Sequence, residues 1–144
     1  MLTRIDHVGI ACRDLDAKIA FYESAFGLTV ASLEVNEGQG MREAMMQVAA
    51  GPDGACYVQL LEPLGADTPV AKFLERRGEG VHHVGYGVAD ITAALAAIGA
   101  SGVRLIDERP RHGSMGAAIA FLHPSDVGGV LTELVQAPAR NRVS

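Results

Sequence analysis

The chain has 144 residues, 49% of them hydrophobic and 20% charged, with a formal net charge of −5. That is enough apolar material for one buried core, and mild acidity without a basic stripe argues against a nucleic-acid surface. No apolar run nears the roughly 18 residues of a membrane span, and Met1 to Asp6 lack the apolar centre of a secretory signal, so a cytoplasmic protein without a membrane partner is expected.

Residues 3–12 alternate as a strand that carries His7. Asp14 follows as an N-cap, and Leu15, Ile19, Tyr22 and Phe26 fall on one face of a helix that Gly27 ends. Residues 28–34 read as a second strand, 36–40 as a loop and 42–49 as a third strand. Gly51-Pro52-Asp53-Gly54 makes a turn, and a fourth strand over 55–62 carries Gln59. Thr68 and Pro69 open a short helix that stops at Gly78. Then the order repeats. Strand 81–88 is followed by helix 90–101, a short strand near 103–106, and strands at 117–122 and 129–136. Loops fall at 109–116 and 123–126. Cys12 and Cys56 sit in apolar strand contexts without CxxC spacing and read as buried, reduced thiols.

The repetition extends to individual residues. His7, Val8, Gly9 and Asp14 recur 76 positions later as His83, Val84, Gly85 and Asp90, and Leu15, Ile19 and Tyr22 recur as Ile91, Leu95 and Ile98. Self-similarity at a fixed offset marks two copies of one structural unit. The fold class expected is therefore α+β: two tandem βαβββ modules, residues 4–63 and 80–137, joined by a helix over 68–78 in a single domain spanning 4–137.

Two copies related by a near-twofold bring equivalent histidines toward a shared cleft. Each module also ends on an apolar strand with one polar residue at its middle, Gln59 in the first and Glu133 in the second. A carboxylate on an apolar strand is expensive unless paired or bound to a metal. His7, Gln59, His83 and Glu133 form a mixed nitrogen–oxygen donor set suited to a borderline divalent ion such as Co, Ni, Mn, Zn or Fe. His82 is adjacent to His83 but points to the opposite face of a strand, and Asp6 holds its equivalent position, so His83 is the preferred ligand. Position alone makes Glu43 a solvated strand-end charge.

Several blocks resemble the methylmalonyl-CoA epimerases of the vicinal-oxygen-chelate, glyoxalase-like superfamily. They include Gln39-Gly40-Met41-Arg42-Glu43-Ala44-Met45-Met46, Leu60-Leu61-Glu62-Pro63-Leu64, Ala71-Lys72-Phe73-Leu74 and Gly78-Glu79-Gly80-Val81-His82-His83-Val84. Gly102-Val103-Arg104-Leu105-Ile106-Asp107-Glu108, Phe121-Leu122-His123-Pro124 and Gly128-Gly129-Val130-Leu131-Thr132-Glu133-Leu134 continue the likeness, which runs from about Ile5 to Val135. The resemblance implies a U-shaped eight-stranded sheet around a divalent ion, cobalt foremost and Mg also admissible, held by His7, Gln59, His83 and Glu133. It implies Glu43 and Glu133 as the two acid–base groups, methylmalonyl-CoA as the substrate, and a homodimer.

Overall fold

The computed structural model describes residues 1–49 and 55–139. The turn expected at Gly51–Gly54 lies outside them. Its elements are β1 (Leu2–Ala11), α1 (Leu15–Phe26), β2 (Thr29–Asn36), β3 (Met41–Ala49), β4 (Cys56–Pro63), α2 (Pro69–Arg77), β5 (Gly80–Val88), α3 (Ile91–Ala100), β6 (Arg111–His112), β7 (Ala118–Leu122) and β8 (Thr132–Gln136). The hydrogen-bonded strand order is β2-β3-β4-β1-β5-β8-β7-β6, so the first strand of each module lies next to the other at the centre of eight. Two compact units share these central strands: Asp6–Val84, and Met1–Ile5 with Gly85–Ser144.

In the unit Asp6–Val84, β1 pairs in parallel with β4, Gly9 standing opposite Gln59, and β3 runs antiparallel to both β2 and β4. Side chains alternate between sheet faces. One face sends Ile10, Cys12, Ala44, Met46, Val58 and Leu60 against Leu15, Ile19 and Tyr22 of α1. The other carries His7, Gly9, Glu43 and Gln59, and at one end Ala11, Met41 and Leu61 pack under Val70 and Leu74 of α2. Helix α1 thus seals one face and leaves the polar residues on the other. Cys12 is wholly buried, and burial, with Glu79 and Glu62 nearby, pushes its thiol up to about 11.

The unit containing Gly85–Ser144 follows the same plan. Val88, Ala120, Leu122 and Leu134 pack against Ile91, Ala94 and Leu95 of α3, while Ile119, Phe121 and Val135 face the other way. Glu133 pairs with Phe121 across β7 and β8 and shares its parity with Val135, so it too turns away from the helix.

The duplication reaches the helix starts. Asp14 accepts from Ala17 N and Asp90 from Ala93 N, both at 3.0 Å. A side chain three residues beyond each candidate end-strand ligand takes a further N–H: Leu15 N donates to Glu62 at 2.6 Å, and Ile91 N to Gln136 at 2.8 Å. Each end strand is thereby tied to the first turn of its module's helix, satisfying a donor that the helix cannot.

Two expectations need correction. Phe26 does not join the buried stripe; it is 63% exposed and stacks at the helix end with Phe21 and Tyr22. The short strand expected near 103–106 is instead the two-residue β6, Arg111–His112, paired with Ile119 and Ala118. Leu105 makes only an isolated bridge to Leu122. A ladder does not extend there because Ile106 N and Asp107 N both turn to Phe121 O, while the Asp107 carboxylate accepts from Phe121 N at 2.9 Å. A side chain has taken the place of a strand carbonyl.

The turn leading toward β8 is held by Arg104. Its guanidinium Nε and backbone N both donate to Asp126 Oδ2 at 2.9 Å, and Nη2 donates to Ser125 Oγ at 2.6 Å. These bonds hold the Asp126 carboxyl down at about 2, against an ordinary value of 3.8. A carboxylate whose folded-state pKa is depressed stabilises the fold above the ordinary value and loses that effect as pH falls through the depressed one. Asp126→Asn should therefore melt at a lower temperature than the unaltered protein at pH 7. In thermal denaturation series the gap should narrow between about pH 4 and about pH 2.

Candidate metal and acid–base site

Strand parity places His7, Gly9, Glu43 and Gln59 on one face, and burial there is nearly complete. His7 is 3% exposed, His83 2%, Gln59 4% and Glu43 1%. The two imidazoles meet edge to face with their Nε2 atoms 2.9 Å apart. Glycine at position 9 makes this possible: a Cβ there would overlap the His83 ring. The His-Val-Gly motif thus has a steric meaning, since the residue two places after the first histidine is the floor on which the second lies.

Each ring is also held at its other nitrogen. Asp6 Oδ2 accepts from His7 Nδ1 at 2.8 Å, and His82 Nδ1 lies 2.9 Å from His83 Nδ1. Burial, and then the adjacent His7 and His82 rings, hold the His83 pKa well below its ordinary value, which keeps that imidazole neutral. His82 is lowered as well, by burial alone. Its ring packs edge-on against Phe73 of α2, with centroids 5.0 Å apart.

Beside the histidines, Gln59 Nε2 donates to Glu43 Oε2 at 2.9 Å. The expectation that position alone makes Glu43 a solvated strand-end charge is therefore overturned: it is buried and oriented. Glu133, 5% exposed, lies on β8 in the other unit.

A divalent ion fits the residues present. Two nitrogens about 2.1 Å from an ion and at right angles stand about 3.0 Å apart, and the Nε2 pair is at 2.9 Å. The Nδ1 contacts of both rings match the support that metal-ligating histidines receive. Gln59 can offer only Oε1, its Nε2 being committed to Glu43.

Asp6, Gly9 and His82 carry parts of this site that sequence reasoning did not assign. The signal was available: Asp6 and His82 occupy equivalent positions in the repeat, immediately before the two ring-bearing residues.

Comparison with known proteins agrees with this architecture. Residues 6–121 match the model of the Glyoxalase/Bleomycin resistance protein/Dioxygenase superfamily. A methylmalonyl-CoA epimerase in complex with methylmalonyl-CoA and NH4+ is 54% identical, covers 96% of this chain and 97% of its own, and superposes with a TM-score of 0.93. A variant of the Streptomyces coelicolor methylmalonyl-CoA epimerase in complex with 2-nitronate-propionyl-CoA is likewise 54% identical, over 96% of this chain and 100% of that one, with a TM-score of 0.94. The ethylmalonyl-CoA/methylmalonyl-CoA epimerase of Cereibacter sphaeroides is 36% identical over 138 residues, 94% of this chain and 99% of that protein.

The doubled βαβββ plan and its superfamily match define a glyoxalase-like, vicinal-oxygen-chelate protein. Within that superfamily, the chain belongs to the methylmalonyl-CoA epimerase family, whose members are isomerases acting on an acyl-CoA.

The role of Gly9 can be tested directly. Gly9→Ala should displace the His83 ring and lower divalent-ion affinity in calorimetric titration by at least about tenfold, as loss of ligand orientation does elsewhere.

Proposed function

We propose that the protein interconverts (R)- and (S)-methylmalonyl-CoA by removing and returning the proton at C2. The observation that carries this is Glu43: a carboxylate 1% exposed, held by Gln59, on the strand face that bears the histidine pair. A glyoxalase-type or purely sequestering role has no comparable support.

In this reading residues 4–137 form one domain, and His7, Gln59, His83 and Glu133 hold a divalent ion, cobalt being the first candidate. Equivalence of Gln59 and Glu133 in the repeat, and burial of Glu133 on an apolar strand, support the fourth member. A bound ion would supply Lewis-acid stabilisation of the negative charge that develops when C2 loses its proton.

The chain's own residues do the rest. Glu43 takes the proton on one face of C2, and Glu133 serves the opposite face. Inversion needs two positioned groups, because a single base returns the proton to the face it left. The Gln59 amide orients the Glu43 carboxylate and, by donating to Oε2, restricts which oxygen reacts. Burial under packed strands excludes water that would compete for the proton.

Glu43→Gln should keep its bound ion, since no proposed ligand is altered, and lose epimerisation by about 10²–10⁴-fold. In deuterated water this variant should exchange the C2 proton of one enantiomer slowly, without inversion, as read by mass spectrometry and chiral analysis. Inversion of both enantiomers at the original rate would remove Glu43 from the mechanism. Chelator treatment should abolish turnover of the unaltered protein, and a divalent ion should restore it.

The protein acts as a cytoplasmic homodimer in this proposal. Exposed Ile5 and Val81 on the central strands, 56% each, support a second copy as partner. Sedimentation at micromolar concentration should give about twice the 15.1 kDa chain mass. A fully active monomer would exclude the dimer.

A further inference from the structure

We propose that Met45 is the specificity-determining residue of this site, setting the size of the alkyl group that C2 of the acyl-CoA can carry. The inference rests on the epimerase reading above and concerns one sheet face of the unit Asp6–Val84.

Register arranges that face in rows. Gly9 stands opposite Gln59, Gln59 opposite Met45, and Met45 opposite Ser32, so one row crosses β1, β4, β3 and β2. Strand spacing puts the Met45 Cβ about 5 Å from that of Gln59, and strand rise puts it about 7 Å from that of Glu43. Met45 is thus the neighbour of Glu43 along its strand and of Gln59 across it.

The three methionines of β3 have different surroundings. Met41 packs under α2 and Met46 against α1, each in an apolar layer. Among the described residues Met45 joins neither layer, yet it is only 3% exposed. The other members of its row are a glycine, an amide and a serine, and the preceding side chain on its face is the Glu43 carboxylate. An enclosed apolar side chain in a polar layer turns its surface to whatever enters the site.

Stereochemistry makes that surface matter. C2 of a 2-alkylmalonyl-CoA carries a thioester carbonyl, a carboxylate, a hydrogen and the alkyl group. With the two oxygen-bearing arms held in place, epimers differ only by exchange of the hydrogen and the alkyl group. The epimer whose hydrogen points at Glu43 sends its alkyl group away from β3. Its opposite number turns the alkyl group toward β3, where Met45 is the apolar residue beside Glu43. Inversion requires both poses, so the bulk at position 45 limits the substituent in either direction of the reaction. Methionine is unbranched and rotates about three bonds, which makes the limit a soft one: an ethyl group is slowed and not excluded.

Ethylmalonyl-CoA is the probe. The ion-loaded, unaltered protein should prefer methylmalonyl-CoA in kcat/KM by about tenfold, the low end of what one methylene is worth in a pocket. Met45→Ala should remove most of that preference, Met45→Phe should enlarge it, and Met45→Leu, of similar volume, should leave it near the original. In deuterated water, mass spectrometry and chiral analysis should separate the two epimers of ethylmalonyl-CoA. One should take up deuterium slowly in the unaltered protein and about tenfold faster in Met45→Ala, while the other exchanges alike in both. The slow epimer should be the one whose proton Glu43→Gln still exchanges, because its hydrogen lies on the face away from Glu43. Should Met45→Ala fail to fold, the contrast between Met45→Phe and Met45→Leu decides the matter. A methyl-over-ethyl ratio that does not move with position 45, or a gain shared equally by both epimers, would overturn this inference alone. Failure of the unaltered protein to epimerise methylmalonyl-CoA would sink the epimerase reading with it.

Discussion

Two buried imidazole nitrogens 2.9 Å apart set the terms for the rest of this structure. Taking polar rings out of water is unfavourable unless each polar atom finds a partner. Here the partners come from the residue immediately before each histidine, Asp6 and His82, and the space comes from Gly9. Replacing any of them leaves a ring misplaced or a nitrogen without its support. The short strand motif around His7 therefore combines an orienter, a ring, a spacer and the floor on which His83 lies.

The remainder of the fold serves to keep that unit in register. Helices α1 and α3 occupy one face of their strands, so period-two alternation sends Gln59 and Glu133 to the other. Glu62 and Gln136, three residues further along the same strands, accept N–H groups from the helix starts. A slip of one residue would break that bond and turn the polar side chain into the apolar layer. Register is thus enforced at both ends by opposing costs.

Duplication provides symmetry, and the chemistry of a family that inverts a carbon centre draws on the departures from it. An amide stands at 59 where a carboxylate stands at 133, and a carboxylate at 6 where an imidazole stands at 82. The amide at 59 bonds the carboxylate of Glu43, so the first module holds that carboxylate beside a neutral side chain and not beside a second anion. A carboxylate at 59 would repel Glu43 across the same 2.9 Å.

Much of this was legible in the residues themselves. The repeat at a 76-residue offset specified the two-module α+β plan, the caps at Asp14 and Asp90, and the histidines. Local signals suffice where the physics is local: a capping side chain, a strand's alternation, a glycine stop. Legibility ended where a residue's role depends on what a distant segment brings against it. Glu43 looked like a surface charge until β2 and β4 flanked its strand and Gln59 came against its carboxylate. Phe26 kept helical spacing with the core but stayed exposed against Phe21 and Tyr22, and Asp107 ended a ladder by supplying a side-chain oxygen to Phe121. Gly9 and His82 needed the tertiary structure most, because their meaning lies in an atom of His83 that chain order does not place beside both. Periodicity and turn chemistry are properties of neighbours in sequence, whereas burial and contact are decided only when distant segments of the chain pack together.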